Sequence, residues 1–94
     1  MENSIKQGDI VKALTGRDKD RYFLVVFLKD DRAFITDGKT RKVNNLKKKN
    51  IKHIKKVLSE SLKGLAVKIQ SGQTVSNKNI YLSIKTQTQK IQED

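Results

Sequence analysis

The sequence predicts a mainly β domain, a small and strongly bent barrel, followed by a short helical tail. Three observations lead there. Residues 22–28, Tyr-Phe-Leu-Val-Val-Phe-Leu, are aromatic or β-branched almost throughout and are bounded by charged turns, the pattern of a central strand covered on both faces. Shorter β-prone runs lie on either side of it, and a meander this short leaves open edges unless it curls. Near Leu58 the apolar period then changes from strand-like to helical. The expected organisation is a basic β module over residues 1–57 and a helical extension over 58–94, packed on or beside the barrel.

Taken in order, residues 1–7 are polar and expected to be loose. Gly8 and Asp9 form a turn into a first strand carrying Ile10, Val11, Ala13 and Leu14. Residues 15–21, Thr-Gly-Arg-Asp-Lys-Asp-Arg, make an exposed loop. The central strand follows, and Lys29, Asp30, Asp31 and Arg32 turn the chain into a third strand at 33–36. Asp37 and Gly38 suggest a tight hairpin turn with a returning strand over 39–43. Residues 50–56 alternate and suit a closing strand. Leu58, Leu62, Leu65, Ala66 and Ile69 then share one helix face, with Ser59 as N-cap and Gly72 as the stop. A second helix capped by Ser76 and Asn77 places Val75 and Ile80 at the spacing of a hydrophobic staple. Ile80, Leu82 and Ile84 also alternate as in a strand; the capping pattern favours the helix. Past Thr86 the chain reads as a fraying end.

The charge is the strongest functional signal. The chain of 94 residues carries a formal net charge of +11, an imbalance that no fold requires and that self-repulsion penalises. Most of it sits between Asp37 and Lys56, where no acid follows Asp37 and nine residues are basic: Lys39, Arg41, Lys42, Lys47, Lys48, Lys49, Lys52, Lys55 and Lys56. Val43, Leu46, Ile51 and Ile54 are interspersed and would tether the tract to a core, so that the cations are presented from an ordered surface. A fixed array of cations suits a polyanion with regular phosphates, foremost a nucleic acid. A plain solubility surface usually mixes both signs instead.

Other chemistries find little support. Without cysteine there is no disulfide, thiolate zinc site or cysteine nucleophile. His53 is the only histidine and has no neighbouring acid, which argues against a metal site; it can stack on a base, bond a phosphate or pack on the barrel. No catalytic constellation or phosphate-cradling glycine loop is present, so neither enzymatic activity nor a cofactor is expected. The first residues lack the apolar core of a signal peptide, and no apolar run approaches the roughly 20 residues of a membrane span, so a cytoplasmic protein is expected. A polybasic tract can also bind an anionic membrane surface, but no aromatic anchor or lipidation signal accompanies this one.

Two stretches together resemble a known family. Residues 8–19, Gly-Asp-Ile-Val-Lys-Ala-Leu-Thr-Gly-Arg-Asp-Lys, with the apolar Leu24, Val25 and Val26 after them, resemble the KOW motif of nucleic-acid-binding proteins. Asp37-Gly38-Lys39-Thr40-Arg41-Lys42, followed by Lys47-Lys48-Lys49-Asn50-Ile51-Lys52-His53, is similar to the second block of one KOW branch. That branch contains large-subunit ribosomal proteins of archaeal and eukaryotic type and small bacterial RNA-binding proteins. The resemblance covers roughly residues 6–56 and implies an SH3-like barrel that binds RNA, ribosomal RNA of the large subunit above all. Many KOW motifs have glycine where this chain has Asp20, and the lysine block lacks the proline that often precedes it.

The candidate RNA-contacting residues are therefore Arg17, Lys19, Lys39, Arg41, Lys42, Lys47, Lys48, Lys49, Lys52 and His53. Local readings compete with several of them. Arg17 can pair with Asp18 and Lys19 with Asp20, and three consecutive lysines cannot all face one way. Tyr22 and Phe23 can stack on bases, although the run they begin reads as core. Asp18 and Asp37 suit turns better than acid–base chemistry. KOW-type barrels also dock on transcription or translation machinery, so a protein partner held through the helical tail is the alternative function.

Overall fold

A computed structural model describes residues 4–91. Five strands, β1 (Ile10–Ala13), β2 (Tyr22–Lys29), β3 (Arg32–Thr36), β4 (Lys47–Asn50) and β5 (Ile54–Leu58), form one antiparallel sheet in the order β4-β3-β2-β1-β5. A single 3-10 turn, Ile51–His53, joins β4 to β5. Two helices follow, α1 (Lys63–Gln70) and α2 (Asn77–Gln89). β4 and β5 are the sheet edges, and among the described residues no pairing between them closes a barrel.

β2 is buried on both sides, as its composition predicts. One face contributes Phe23 and Val25 to a cluster with Val11, Ala13, Ala33, Ile35 and Ile54. Ile54 of β5, paired with Ala13 of β1, belongs to the same cluster as Ala33 and Ile35 of β3, so one apolar cluster spans four strands of the sheet. The other face contributes Leu24 to a second cluster with Ala66, Ile80 and Ile84, and here both helices cover the sheet. Burying apolar side chains on both faces offsets the small size of the chain, which otherwise covers only roughly 60–65% of its unfolded surface.

Two turns hold the helices in place. Gly8 adopts φ +90 and lies against the backbone of Lys63, so a Cβ there would come within 2.7 Å of the Lys63 nitrogen. Gly38 adopts φ +74 beneath α2, where a Cβ would overlap the Asn77 carbonyl oxygen and reach 3.0 Å from the Tyr81 nitrogen. Both positions require the left-handed backbone and the missing side chain that only glycine combines without strain.

The structure corrects several boundaries. Residues 39–43 are not a strand; the partner of β3 is β4, further along the chain. The reason is the Asp37 carboxylate, which accepts the Lys39 and Arg41 amides at 2.9 and 2.8 Å and the Thr40 hydroxyl at 2.7 Å. The Arg41 carbonyl in turn accepts the Asp37 and Gly38 amides, so the segment satisfies its polar groups within a loop. Residues 50–56 are not one strand either, because the Asn50 side chain accepts the Lys52 amide and caps the 3-10 turn before β5 begins.

The first helix starts at Lys63, not after Ser59. Leu58 still pairs with Ile10, the Asp9 carboxylate takes the Glu60 amide at 2.7 Å, and the Gly8 carbonyl takes the Leu62 amide at 3.0 Å. Ser76 does cap α2, accepting the Asn79 amide at 3.0 Å. Ile80 and Ile84 are buried while Leu82 is exposed, which is helical rather than strand-like spacing. α2 also runs past Thr86, because Thr88 is buried and donates its hydroxyl to the Ile84 carbonyl. Of the residues expected to be loose, 1–3 and 92–94 lie outside the described residues.

Candidate nucleic-acid interface

The β1–β2 loop and strand β4 are distant in sequence and meet in space. Lys47 Nζ donates to Asp18 Oδ2 at 2.7 Å, and Lys49 Nζ donates to the Thr15 carbonyl at 3.2 Å. Lys47 and Lys49 alternate with Lys48, as they must on a strand, so these two reach the loop while Lys48 stands on the opposite face beside Phe34, its cross-strand partner. Arg17 and Lys19 project from the loop and are exposed. Lys52 and His53 lie on the 3-10 turn, where the His53 carbonyl accepts the Leu14 amide at 2.9 Å, so this turn borders the same loop.

Asp18 is the electrostatic centre of the cluster. The hydrogen bond from Lys47 holds its carboxyl below the ordinary 3.8, against the upward push of burial, and the positive charges of Lys47, Arg21 and Arg41 add to the effect. Asp18 thus pairs across the fold with Lys47 rather than with its neighbour Arg17. The pair is mostly shielded, its side chains being 26% and 18% exposed. It anchors the loop, so the Lys47 charge is largely answered within the protein. Arg17, Lys19, Lys42, Lys48 and Lys52 are exposed and form no ion pair among the described residues.

The Asp37 loop divides its cations. Arg41 is half-buried and acts on Asp18, so it belongs to the basic end. Lys42 is exposed on the same loop. Lys39 instead lies over the Tyr81 ring of α2, 5.2 Å from its centroid. The loop is fixed from the helix side as well, where the Asn77 side chain accepts the Val43 amide at 2.7 Å. Asp20 has φ +71, a left-handed conformation that short polar residues tolerate better than bulky ones.

The aromatic residues divide between the core and the surface, and Phe23 lies in the core as its run predicts. Phe23 is fully buried in the inner cluster and offers no face to a base. Tyr22 is half-buried, with Lys12 Nζ 5.7 Å from its ring centroid. Phe27 and Phe34, which sequence reasoning passed over, stack at 4.3 Å with planes 9° apart, and both are half-buried. Strict alternation would turn Phe27 inward with Phe23 and Val25. A bulge at Val26 adds one residue to β2 and moves Phe27 to the face of Phe34 and Lys48. No periodicity in the sequence marks that bulge.

Among the described residues no group of three histidine, cysteine or acidic side chains could hold a metal ion, and no helix is long and apolar enough to cross a membrane. Neither a protein-family model nor a curated protein sequence matches this chain.

Proposed function

We propose that this protein is a cytoplasmic RNA-binding module of the KOW type, an SH3-like barrel with a helical tail, that docks on structured RNA through phosphates. Ribosomal RNA of the large subunit is the first candidate. One observation carries the reading: the β1–β2 loop and the lysine strand β4, the core of the two blocks that resemble the KOW branch, are tied together by the Lys47–Asp18 and Lys49–Thr15 contacts. Around that junction stand Arg17, Lys19 and Lys52, exposed and without ion-pair partners among the described residues, while Lys48 is exposed on the opposite face of β4. The left-handed Asp20 supports the same reading, since many KOW motifs have glycine there. Recognition by such an array rests on phosphate positions and RNA shape.

If six to ten phosphates are contacted, affinity for RNA should fall by roughly 10³–10⁵ between 50 and 200 mM salt. Combining Arg17→Glu, Lys19→Glu and Lys52→Glu removes exposed cations that form no ion pair among the described residues, so binding should be abolished with the melting temperature nearly unchanged. RNA binding that survives both the salt and the triple variant overturns the assignment. A sucrose gradient probed for the protein tests the ribosomal part, comigration with the large subunit being the expected result.

A protein partner docked on the helical tail is the second reading. Val67 of α1 and Leu82 of α2 favour it, being 43% and 45% exposed. The triple charge reversal should spare such a contact.

A further inference from the structure

The two tyrosines of the chain, Tyr22 and Tyr81, line one cleft of about 470 Å³. It opens between the start of β2, the Asp37 loop and the C-terminal half of α2. Three cations, Arg21, Lys39 and Lys85, share its walls with a single carboxylate, Asp37, whose oxygens are taken up by the Lys39 and Arg41 amides and the Thr40 hydroxyl. The cleft therefore offers aromatic faces and an excess of positive charge, at a volume typical of small-ligand sites.

We infer that this cleft receives a single unpaired nucleotide of the bound RNA, its base against Tyr81 and Tyr22 and its phosphate between Arg21, Lys39 and Lys85. The inference rests on the RNA-binding reading above and extends it from phosphate contact to capture of a base. A nucleotide is the ligand that joins a flat π surface to an adjacent anion, which is what the walls complement. Lys39 now lies over the Tyr81 ring and is exposed, so its ammonium can leave the ring for a phosphate when a base takes its place. The cleft also adjoins the basic end, because Arg21 lines it and donates its amide to the Asp18 carbonyl at 2.9 Å. A strand whose phosphates follow the exposed lysines reaches the cleft without leaving the positive surface. A base inside a duplex cannot enter, so the site selects single-stranded or bulged RNA.

Two tyrosines give a direct readout, the ring resonances of ¹³C-tyrosine-labelled protein. Hexa-adenylate should shift both rings, and Tyr81→Leu should weaken its binding by about tenfold or more, whereas Tyr81→Phe, which keeps the ring, should stay within about twofold of wild type. Affinity for an RNA duplex should not change in either variant, and thermal melts verify that both fold. Rings unmoved at saturation, or a Tyr81→Leu affinity equal to wild type, overturn the cleft while leaving the phosphate-binding reading in place. Should neither RNA bind at roughly 50 mM salt, where phosphate contacts are strong, the RNA reading itself fails. Adenosine monophosphate then decides the cleft alone: shifted rings keep it as a nucleotide site, and unmoved rings overturn it.

Discussion

The Gly8–Asp9 and Asp37–Gly38 corners are built alike and serve different helices. Each pairs a buried carboxylate with a glycine of positive φ. At the first, Asp9 takes the Lys6 and Glu60 amides and Gly8 lies on α1. At the second, Asp37 takes the Lys39 and Arg41 amides and the Thr40 hydroxyl, and Gly38 lies under α2. Asp18, in the loop between them, is different: it takes a lysine and no backbone amide among the described residues. The two aspartate–glycine pairs therefore act first as seats for helices.

The most damaging test of this comparison is alanine at either glycine. Gly38→Ala forces a side chain into the α2 backbone and Gly8→Ala forces one into Lys63, each at a φ that alanine tolerates poorly. Each should cost about 3 kcal/mol in denaturant unfolding, near the top of the range for a strained backbone position. A wild-type midpoint for either variant would show that its helix does not rest on that corner.

Asparagine separates the two carboxylates. At Asp37 both backbone amides go to Oδ1, while Oδ2 meets a hydroxyl that can accept as well as donate. Asp37→Asn can keep every contact by reversing the hydroxyl and should cost less than about 1 kcal/mol. At Asp9 the two oxygens each take a backbone amide, and Lys56 Nζ lies 3.5 Å from Oδ2. An amide group there must face one N–H with another, so Asp9→Asn should cost about 2 kcal/mol. Equal losses in chemical denaturation would contradict the assigned hydrogen bonds.

This division was only partly legible in the sequence. β2 and the α2 cap were readable because they follow from local preference, a β-branched run and a serine ahead of apolar helical spacing. The false strand at 39–43 and the late start of α1 share one cause. In both places a buried aspartate fixes irregular backbone, Asp37 by taking amides that a ladder would use and Asp9 by holding Glu60, whose φ of +52 no α-helix admits, and sequence does not show which aspartates are buried. Likewise the lysines were visible as a cluster, but their division was not. That Lys47 answers Asp18 and Lys39 meets Tyr81 depends on contacts distant in sequence.

A pH titration sharpens the contrast with Asp18. Its folded carboxyl lies below the ordinary 3.8, so the pair's stabilisation is complete above that value and is lost as pH falls below it. Asp18→Asn should therefore be less stable than wild type at neutral pH by about 1 kcal/mol, as expected for a partly exposed pair. The gap should close in acid, below the folded value. A gap that persists there would assign the loss to the amide's packing and not to the charge.

The smallest effect has the opposite sign and controls for the largest. Gly64 lies inside α1 with nothing within 4 Å of where its Cβ would stand. Gly64→Ala should raise stability by about 0.5–1 kcal/mol through helix propensity alone. It makes the same chemical change as Gly8→Ala in a helix that begins where Gly8 rests. Opposite signs for the two, measured in one denaturant series, would locate the cost of Gly8→Ala in the approach of Lys63 rather than in the loss of glycine. A loss at both would mean that α1 gains little from its own helicity, and that its position depends on the Asp9 carboxylate and the Leu24 face of the sheet.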